Sequence, residues 1–279
     1  MNISWLQGAI LGFVSGLSEP LPVSAEAHRA VLGQFFGVDG FSPLVLLMCH
    51  LASLIVVLML GRLELKRLRR TAKLLKTPKR RRKANPELNS AGTLKLLRTA
   101  MPIALAGRLL GFYLSPIGGK LYLLTLTLIL GGVILHLPTH MRSANKDGRH
   151  LEKTDAMLMG LGYALGAVPG VSGVGGAVSL GLIRGADLRY AVRFAWMLLC
   201  AGLAVSVGID VLGIVSAGFK FDLMLMLTAL VSGICAAIGT ALALRLMFVL
   251  IRQGGLGISG FSYYNWGLAL LCMALFLLV

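Results

Sequence analysis

Long apolar runs separated by short polar stretches dominate the hydropathy pattern of this chain. Six of the runs approach the roughly 20 residues that an α-helix needs to cross a bilayer. They predict membrane-spanning helices at 44–61, 94–114, 120–138, 190–215, 222–250 and 262–279. Only 14% of the residues are charged and the mean hydropathy is +0.83, whereas about a quarter of a soluble domain is charged. We therefore expect an all-α polytopic membrane protein, with residues 1–279 in a single membrane domain.

The apolar segment 3–33 is interrupted by polar residues and by two prolines. Pro20 and Pro22 prevent one continuous helix. The ionisable and hydroxyl side chains around them are those of Glu19, Ser24, Glu26, His28 and Arg29. At membrane depth, a broken backbone with ionisable groups is tolerated only inside protein or beside water, and it marks a functional site by default. The segment is predicted to be re-entrant, with a helix that enters the bilayer, breaks and turns back.

The segment 156–183 resembles this opening segment. When the chain is shifted by 148 positions, Gly12 falls on Gly160, Ser24 on Ser172 and Gly33 on Gly181. Either the match is accidental in a glycine-rich apolar sequence, or the chain is an inverted repeat with a second re-entrant hairpin at 156–183. In that case the first repeat covers about 1–138 and the second about 152–279.

An inverted repeat would place a polar site near the bilayer midplane, with helix N-termini directed at anionic groups. Ser24 and Ser172 would then be equivalent. Gly170 and Gly173 would let backbone N–H groups approach a phosphate.

The positive charge of the chain is concentrated in one place. The formal net charge is +16, and roughly half of the 27 Lys and Arg residues lie between Arg62 and Arg98. The positive-inside rule predicts that the segment 62–95 is a partly helical cytoplasmic loop, with a break at Asn85-Pro86, that touches anionic lipid head groups. No recognition fold accompanies the basic block, so nucleic acid is not an expected partner.

Two motifs resemble those of a known family. Residues 16–24, Gly-Leu-Ser-Glu-Pro-Leu-Pro-Val-Ser, followed by His28, resemble the first signature of the undecaprenyl-diphosphate phosphatase family, the bacitracin-resistance type of membrane phosphatase. Residues 169–172, Pro-Gly-Val-Ser, resemble the start of its second signature. The resemblance implies two inverted repeats with re-entrant hairpins. It also implies removal of the terminal phosphate of undecaprenyl diphosphate at the outer face of the bacterial cytoplasmic membrane, which recycles the lipid carrier for peptidoglycan.

The chain departs from the family pattern at several positions. Ser15 replaces the first acidic or amide residue, Ala25 and Glu26 replace a Ser and a Thr, and Ala27 replaces the Gly before the His. In the second half Tyr163 replaces a Gln, Gly173 an Arg, Val174 a Ser, Ala177 a Thr and Asn265 a late Arg. An Arg is a strong bidentate partner of phosphate, and Gly cannot replace it. We hypothesise that Arg29 or Arg108 supplies the missing positive charge.

The resemblance implies that Glu19, Ser24 and His28 are catalytic. His28 would be a nucleophile or a general acid–base, Ser24 an alternative nucleophile, and Glu19 either the residue that orients the His or a ligand of a divalent cation such as Mg²⁺ or Ca²⁺. The predicted phosphate-binding residues are Ser172, Gly170, Gly173, Arg29 and His50.

Structural alternatives exist for the same side chains. Glu19 could be a structural buried acid, and His28 a structural histidine. Ser24 could be only a helix N-cap. Ser172 and His50 could be packing residues, and Arg108 could serve to pair helices.

Two classes of function remain. One is a polyprenyl-diphosphate phosphatase. The other is a degenerate relative that binds or translocates a polyprenyl phosphate or another anionic lipid. The expected partners are the polyprenyl lipid, membrane lipids and a second copy of the chain in a homodimer.

Overall fold

The computed structural model describes residues 3–77, 90–141, 145–218, 222–252 and 256–278, and these residues form helices and their connections without a β-sheet. The α-helices, in chain order, are α1 (Trp5–Ser18), α2 (Ala25–Phe36), α3 (Pro43–Leu60), α4 (Arg62–Leu75), α5 (Ala91–Leu114), α6 (Leu121–His136), α7 (Lys153–Ala164), α8 (Gly173–Ile183), α9 (Leu188–Ser216), α10 (Leu223–Arg252) and α11 (Leu256–Leu278). The predicted all-α class is confirmed.

Six of these helices are long and apolar enough to cross a membrane, namely α3, α5, α6, α9, α10 and α11. They coincide with the six spans predicted from the apolar runs, and the chain is a multi-pass membrane protein. The α5 helix begins at Ala91, before the predicted end of the basic loop at 95. The other end of that loop is the basic helix α4, while the predicted break at Asn85-Pro86 lies outside the described residues.

The chain breaks between short helices at both predicted places. The α1 helix ends at Ser18, and α2 begins only after Ser24, because two prolines lie between them. The α7 helix ends at Ala164, a 3₁₀ turn follows, and α8 begins after Ser172. The inverted repeat and the re-entrant course through a bilayer stay predictions.

Small residues fix α1 tightly against α10. A Cβ atom added at Gly12 would collide with the backbone carbonyl of Ser232, and one at Gly16 with that of Ala236. The hydroxyl of Thr240 donates a hydrogen bond to the carbonyl of Gly16 (3.0 Å). Small residues permit such close helix contacts in membranes. The contact holds the C-terminal end of α1, and hence the first break, in a fixed position.

The α9 helix passes through the centre of the protein beside that break. Phe194, Leu198 and Leu203 on this helix are fully or almost fully buried. The indole N–H of Trp196 donates to the carbonyl of Pro20 (3.1 Å). This bond satisfies a backbone group that the broken helix leaves without an internal partner.

Candidate active site

Each break is followed by a helix that a serine caps. The Ser24 hydroxyl oxygen accepts a hydrogen bond from the backbone N–H of Ala27 (3.2 Å), and that of Ser172 accepts one from Gly175 (3.0 Å). Both serines are therefore N-caps, which satisfy backbone donors in the first turns of α2 and α8.

The same two serines also join the two breaks to each other. The backbone N–H of Gly170 donates to the Ser24 hydroxyl oxygen (3.0 Å), and the Ser172 hydroxyl donates to the carbonyl of Leu21 (3.3 Å). Gly170 has a φ of +104°, a conformation that favours glycine. The N-termini of α2 and α8 consequently meet, and their partial positive charges make the place suitable for an anion.

Two arginines lie beside this meeting point. Arg29 Nη1 is 3.3 Å from Glu19 Oε1, and its Nη2 is 3.4 Å from Glu26 Oε1. Arg108 Nη1 is 3.6 Å from the same Glu26 oxygen, and its Nε–H donates to the Ser206 hydroxyl (2.6 Å). Arg29 is only 8% exposed. The structure therefore brings together both arginines that were considered as replacements for the family cation.

His50 extends the cluster to α9. Its Nδ1–H donates to Asp210 Oδ2 (2.6 Å), so the carboxylate fixes the tautomer of the ring. Its Nε2 lies 3.6 Å from Glu19 Oε1 and has no hydrogen-bond partner among the described residues. His50 thus presents a buried, unsatisfied nitrogen towards Glu19.

Asp210 and Ser206 were missed in the sequence analysis. Asp210 is the single acidic residue of the apolar α9 helix. The rule that drew attention to residues 19–29, that an ionisable group within a membrane span marks a site, would also have identified it. Ser206 gives no comparable signal, because serine is common in membrane helices.

His28 faces away from the arginines. Its Nδ1–H donates to the carbonyl of Ser24 (2.6 Å), its Nε2 is 2.6 Å from the Tyr264 hydroxyl, and the two rings are stacked. Because a carbonyl can only accept, Nδ1 carries the proton and Nε2 accepts from Tyr264. Glu19 therefore approaches His50, whereas His28, the predicted catalytic histidine, pairs with Tyr264.

The polar residues line two adjoining cavities. A cleft of about 40 Å³ is bordered by Glu19, Ser24, Ser172 and Gly173. A larger cavity of about 270 Å³ is bordered by Arg29, His50 and Asp210. Glu26 and Arg108 line both. A third, mainly apolar cavity of about 490 Å³ lies on the other side of α2, against His28 and Tyr264.

Two departures from the family pattern are neighbours in space. A Cβ atom added at Gly173 would lie 2.9 Å from the carbonyl oxygen of Tyr163 and 3.5 Å from the nearest carbon of its ring. Tyr163 thus occupies the space beside Gly173, the position at which the resemblance implies an Arg in the family. The guanidinium that reaches the small cleft belongs to Arg108 of α5.

The role of Glu19 as a possible ligand of a divalent cation stays a prediction. Glu19 Oε1 faces a guanidinium and an imidazole. Among the described residues, no group of three or more His, Cys, Asp or Glu side chains is placed to hold a metal ion. We assign no chemical step to a metal.

Comparisons with known proteins support a single family. The family model described as the bacitracin resistance protein BacA matches residues 8–271. A protein of Carboxydothermus hydrogenoformans named undecaprenyl-diphosphatase is 30% identical in an alignment of 276 positions that covers 96% of each chain. Proteins of the same name from Rubrobacter xylanophilus and Methanobrevibacter smithii are 30% and 29% identical and are matched over 98% and 94% of each chain. The chain therefore belongs to the BacA bacitracin resistance protein family.

Proposed function

We propose that this protein is a membrane phosphatase that removes the terminal phosphate of undecaprenyl diphosphate. The observation that carries the proposal is a polar cleft among apolar helices where two capped helix N-termini meet. The Arg108 guanidinium borders this cleft, and that of Arg29 borders the adjoining cavity. Such a cleft stabilises a group with several negative charges, as cleavage of a diphosphate requires. The name of the relatives gives the substrate class.

Phosphate binding is assigned to Arg29 and Arg108 together with the second break. Arg108 borders both cavities, so it can contact a phosphate that lies in either. Gly173 is the first residue of α8, where the N–H groups of the first helical turn can face an anion. The N–H of Gly170 is already donated to Ser24, so this glycine contributes through its close backbone approach. This set compensates for the absence of an Arg at position 173.

The nucleophile is assigned to Ser24. Its oxygen would attack the terminal phosphorus while the bond from that phosphorus to the bridging oxygen breaks, and undecaprenyl phosphate leaves. Water then hydrolyses the phosphoserine and releases inorganic phosphate. Glu19 lines the same cleft as Ser24 and is assigned to accept the hydroxyl proton, with His50 next to it at 3.6 Å.

His28 is assigned a positioning role. Its bond to the Ser24 carbonyl (2.6 Å) orients the residue that carries the nucleophile, while the bond to Tyr264 orients the ring. The apolar cavity beside His28 has the character that an isoprenoid chain requires.

The position of the larger of the two adjoining cavities supports one orientation of the protein in the membrane. It is lined by Pro43 and Leu46, at the N-terminal end of α3, and by Gly213, near the C-terminal end of α9. The basic helix α4 follows the opposite end of α3. If α4 is cytoplasmic, as the positive-inside rule expects, the cavity lies towards the outer side. We propose that the protein acts there in the bacterial cytoplasmic membrane, as a monomer or a homodimer.

Phosphate release from undecaprenyl diphosphate by the purified protein tests the proposal. We expect saturable turnover, measured with and without a divalent cation because Glu19 was predicted as a possible ligand. Saturable binding of the lipid without any turnover under either condition would contradict the proposal and favour a lipid-binding or translocating relative.

A further inference from the structure

We infer that Glu26 occupies the position that a substrate phosphate takes between Arg29 and Arg108. Glu26 would thus be a built-in competitor that the diphosphate must displace. This inference rests on the proposed function, because it concerns the same phosphate-binding arginines.

The contacts of a single carboxylate oxygen carry the inference. Glu26 Oε1 is 3.4 Å from Arg29 Nη2 and 3.6 Å from Arg108 Nη1. Carboxylate and phosphate oxygens use guanidinium donors in the same way. An oxygen that bridges two guanidiniums therefore stands where a phosphate oxygen would bind.

Glu26 is held less tightly than its neighbour Glu19. Its side chain is 29% exposed, whereas that of Glu19 is 8% exposed. Since Glu26 also lines the larger cavity, its carboxylate has space into which it can move.

The charge balance explains why this displacement matters. The described site residues include three carboxylates, those of Glu19, Glu26 and Asp210, and two guanidiniums. The carboxylates therefore outnumber the guanidiniums, which opposes the entry of a diphosphate. Movement of Glu26 away from the arginines leaves both guanidiniums free to pair with the incoming phosphate.

The test measures binding of inorganic diphosphate to the purified full-length protein by isothermal titration calorimetry. Glu26→Gln keeps the size of the side chain and removes its charge, so we expect about tenfold tighter binding of diphosphate. A factor of about ten corresponds to the free energy of two weak ion pairs, which the diphosphate no longer has to break. The KM for undecaprenyl diphosphate should fall by a similar factor. Glu26→Thr, which introduces the residue of the family motif, should act in the same direction if the Gln variant does not fold.

The chain offers a matched control in α4. Glu64 pairs with Arg67 three residues later at 3.5 Å, and its side chain is 30% exposed, almost the same as that of Glu26. Glu64→Gln should leave diphosphate binding unchanged. Adding Arg108→Gln to Glu26→Gln should remove the gain in affinity.

Unchanged or weaker diphosphate binding in folded Glu26 variants would overturn the inference. Weaker binding would mean that Glu26 positions the arginines for the anion. The calorimetric measurement does not depend on turnover. A wild-type protein that releases no phosphate would therefore refute the proposed reaction, whereas the effect of Glu26 on binding would still be decided.

Discussion

Residues 19–29 and residues 165–176 surround the two N-capping serines with very different side chains. The first stretch contains Glu19, Glu26, His28 and Arg29, while the second contains no charged residue and is rich in glycine. The capping bonds are nevertheless the same, and each serine contacts the opposite break. The shared backbone arrangement builds the cleft, and of the two breaks only the first contributes charged side chains to it.

The second break uses its small residues for packing. A Cβ atom at Gly176 would collide with the carbonyl of Gly162, and one at Gly175 with the side chain of Leu135. These contacts leave little space for longer side chains. The remaining charged groups of the site come instead from α5 and α9, in Arg108 and Asp210.

Replacing Ser24 and Ser172 separately should give the largest difference in kcat between variants of the two breaks. Ser24→Ala should lower kcat for phosphate release by about 1,000-fold or more, because it removes the proposed nucleophile. Ser172→Ala should lower it by no more than about tenfold. Both variants lose an N-cap, which costs about 1 kcal/mol, so their thermal unfolding midpoints should fall together. Equal losses of kcat would show that the two serines do not differ in role.

Substitutions of His28 test how the first break, between α1 and α2, is held in place. His28→Ala removes the donor to the Ser24 carbonyl and should lower kcat by about 10- to 100-fold. His28→Asn offers an amide N–H near the position of Nδ1 and should restore much of the activity. If His28 transferred a proton during the reaction, the Asn variant would be as inactive as the Ala variant, and the dependence of kcat on pH would change in both.

The smallest expected effect concerns stability and comes from the loop that precedes α7. In that loop Asp147 accepts from the backbone N–H of Arg149 (2.9 Å) and pairs with its guanidinium (3.0 Å). These contacts, together with a hydrogen bond to the His150 ring (2.8 Å), lower the pKa of Asp147 from its ordinary 3.8 to about 2. A lowered carboxyl pKa stabilises the folded protein above pH 3.8 and ceases to do so as the pH falls through 2.

The measurement is the thermal unfolding midpoint of the wild type and of Asp147→Asn between pH 7 and pH 2. At pH 7 the variant should unfold about 1–2 °C lower, a small difference because exposed pairs are screened by solvent. The difference should narrow towards pH 2. A difference that stays constant over this range would mean that ionisation of Asp147 does not contribute.

The hydropathy pattern predicts the helices and the breaks because both depend on local sequence. Apolar runs of sufficient length become spans, and the prolines at 20 and 22 interrupt a helix wherever it lies. The interpretation of Ser24 as an N-cap is confirmed for the same reason. Its second contact, with Gly170, depends on a residue 146 positions away, which local patterns do not reveal.

The contacts at the site involve distant parts of the chain. His50 meets Asp210 across 160 positions, and His28 meets Tyr264 across 236. The sequence identified both histidines as candidates because polar groups are costly in a membrane. Only the packing of the helices determines which histidine approaches Glu19.

The most direct test of the central claim, that the phosphate-binding charge lies in Arg29 and Arg108, measures kcat/KM for phosphate release from undecaprenyl diphosphate. Arg29→Gln and Arg108→Gln should each lower it by about 100-fold, the loss typical of a group that stabilises developing charge. Arg98→Gln, which changes an exposed Arg on the same helix as Arg108, should leave it within about twofold. Full activity in both site variants would contradict the account.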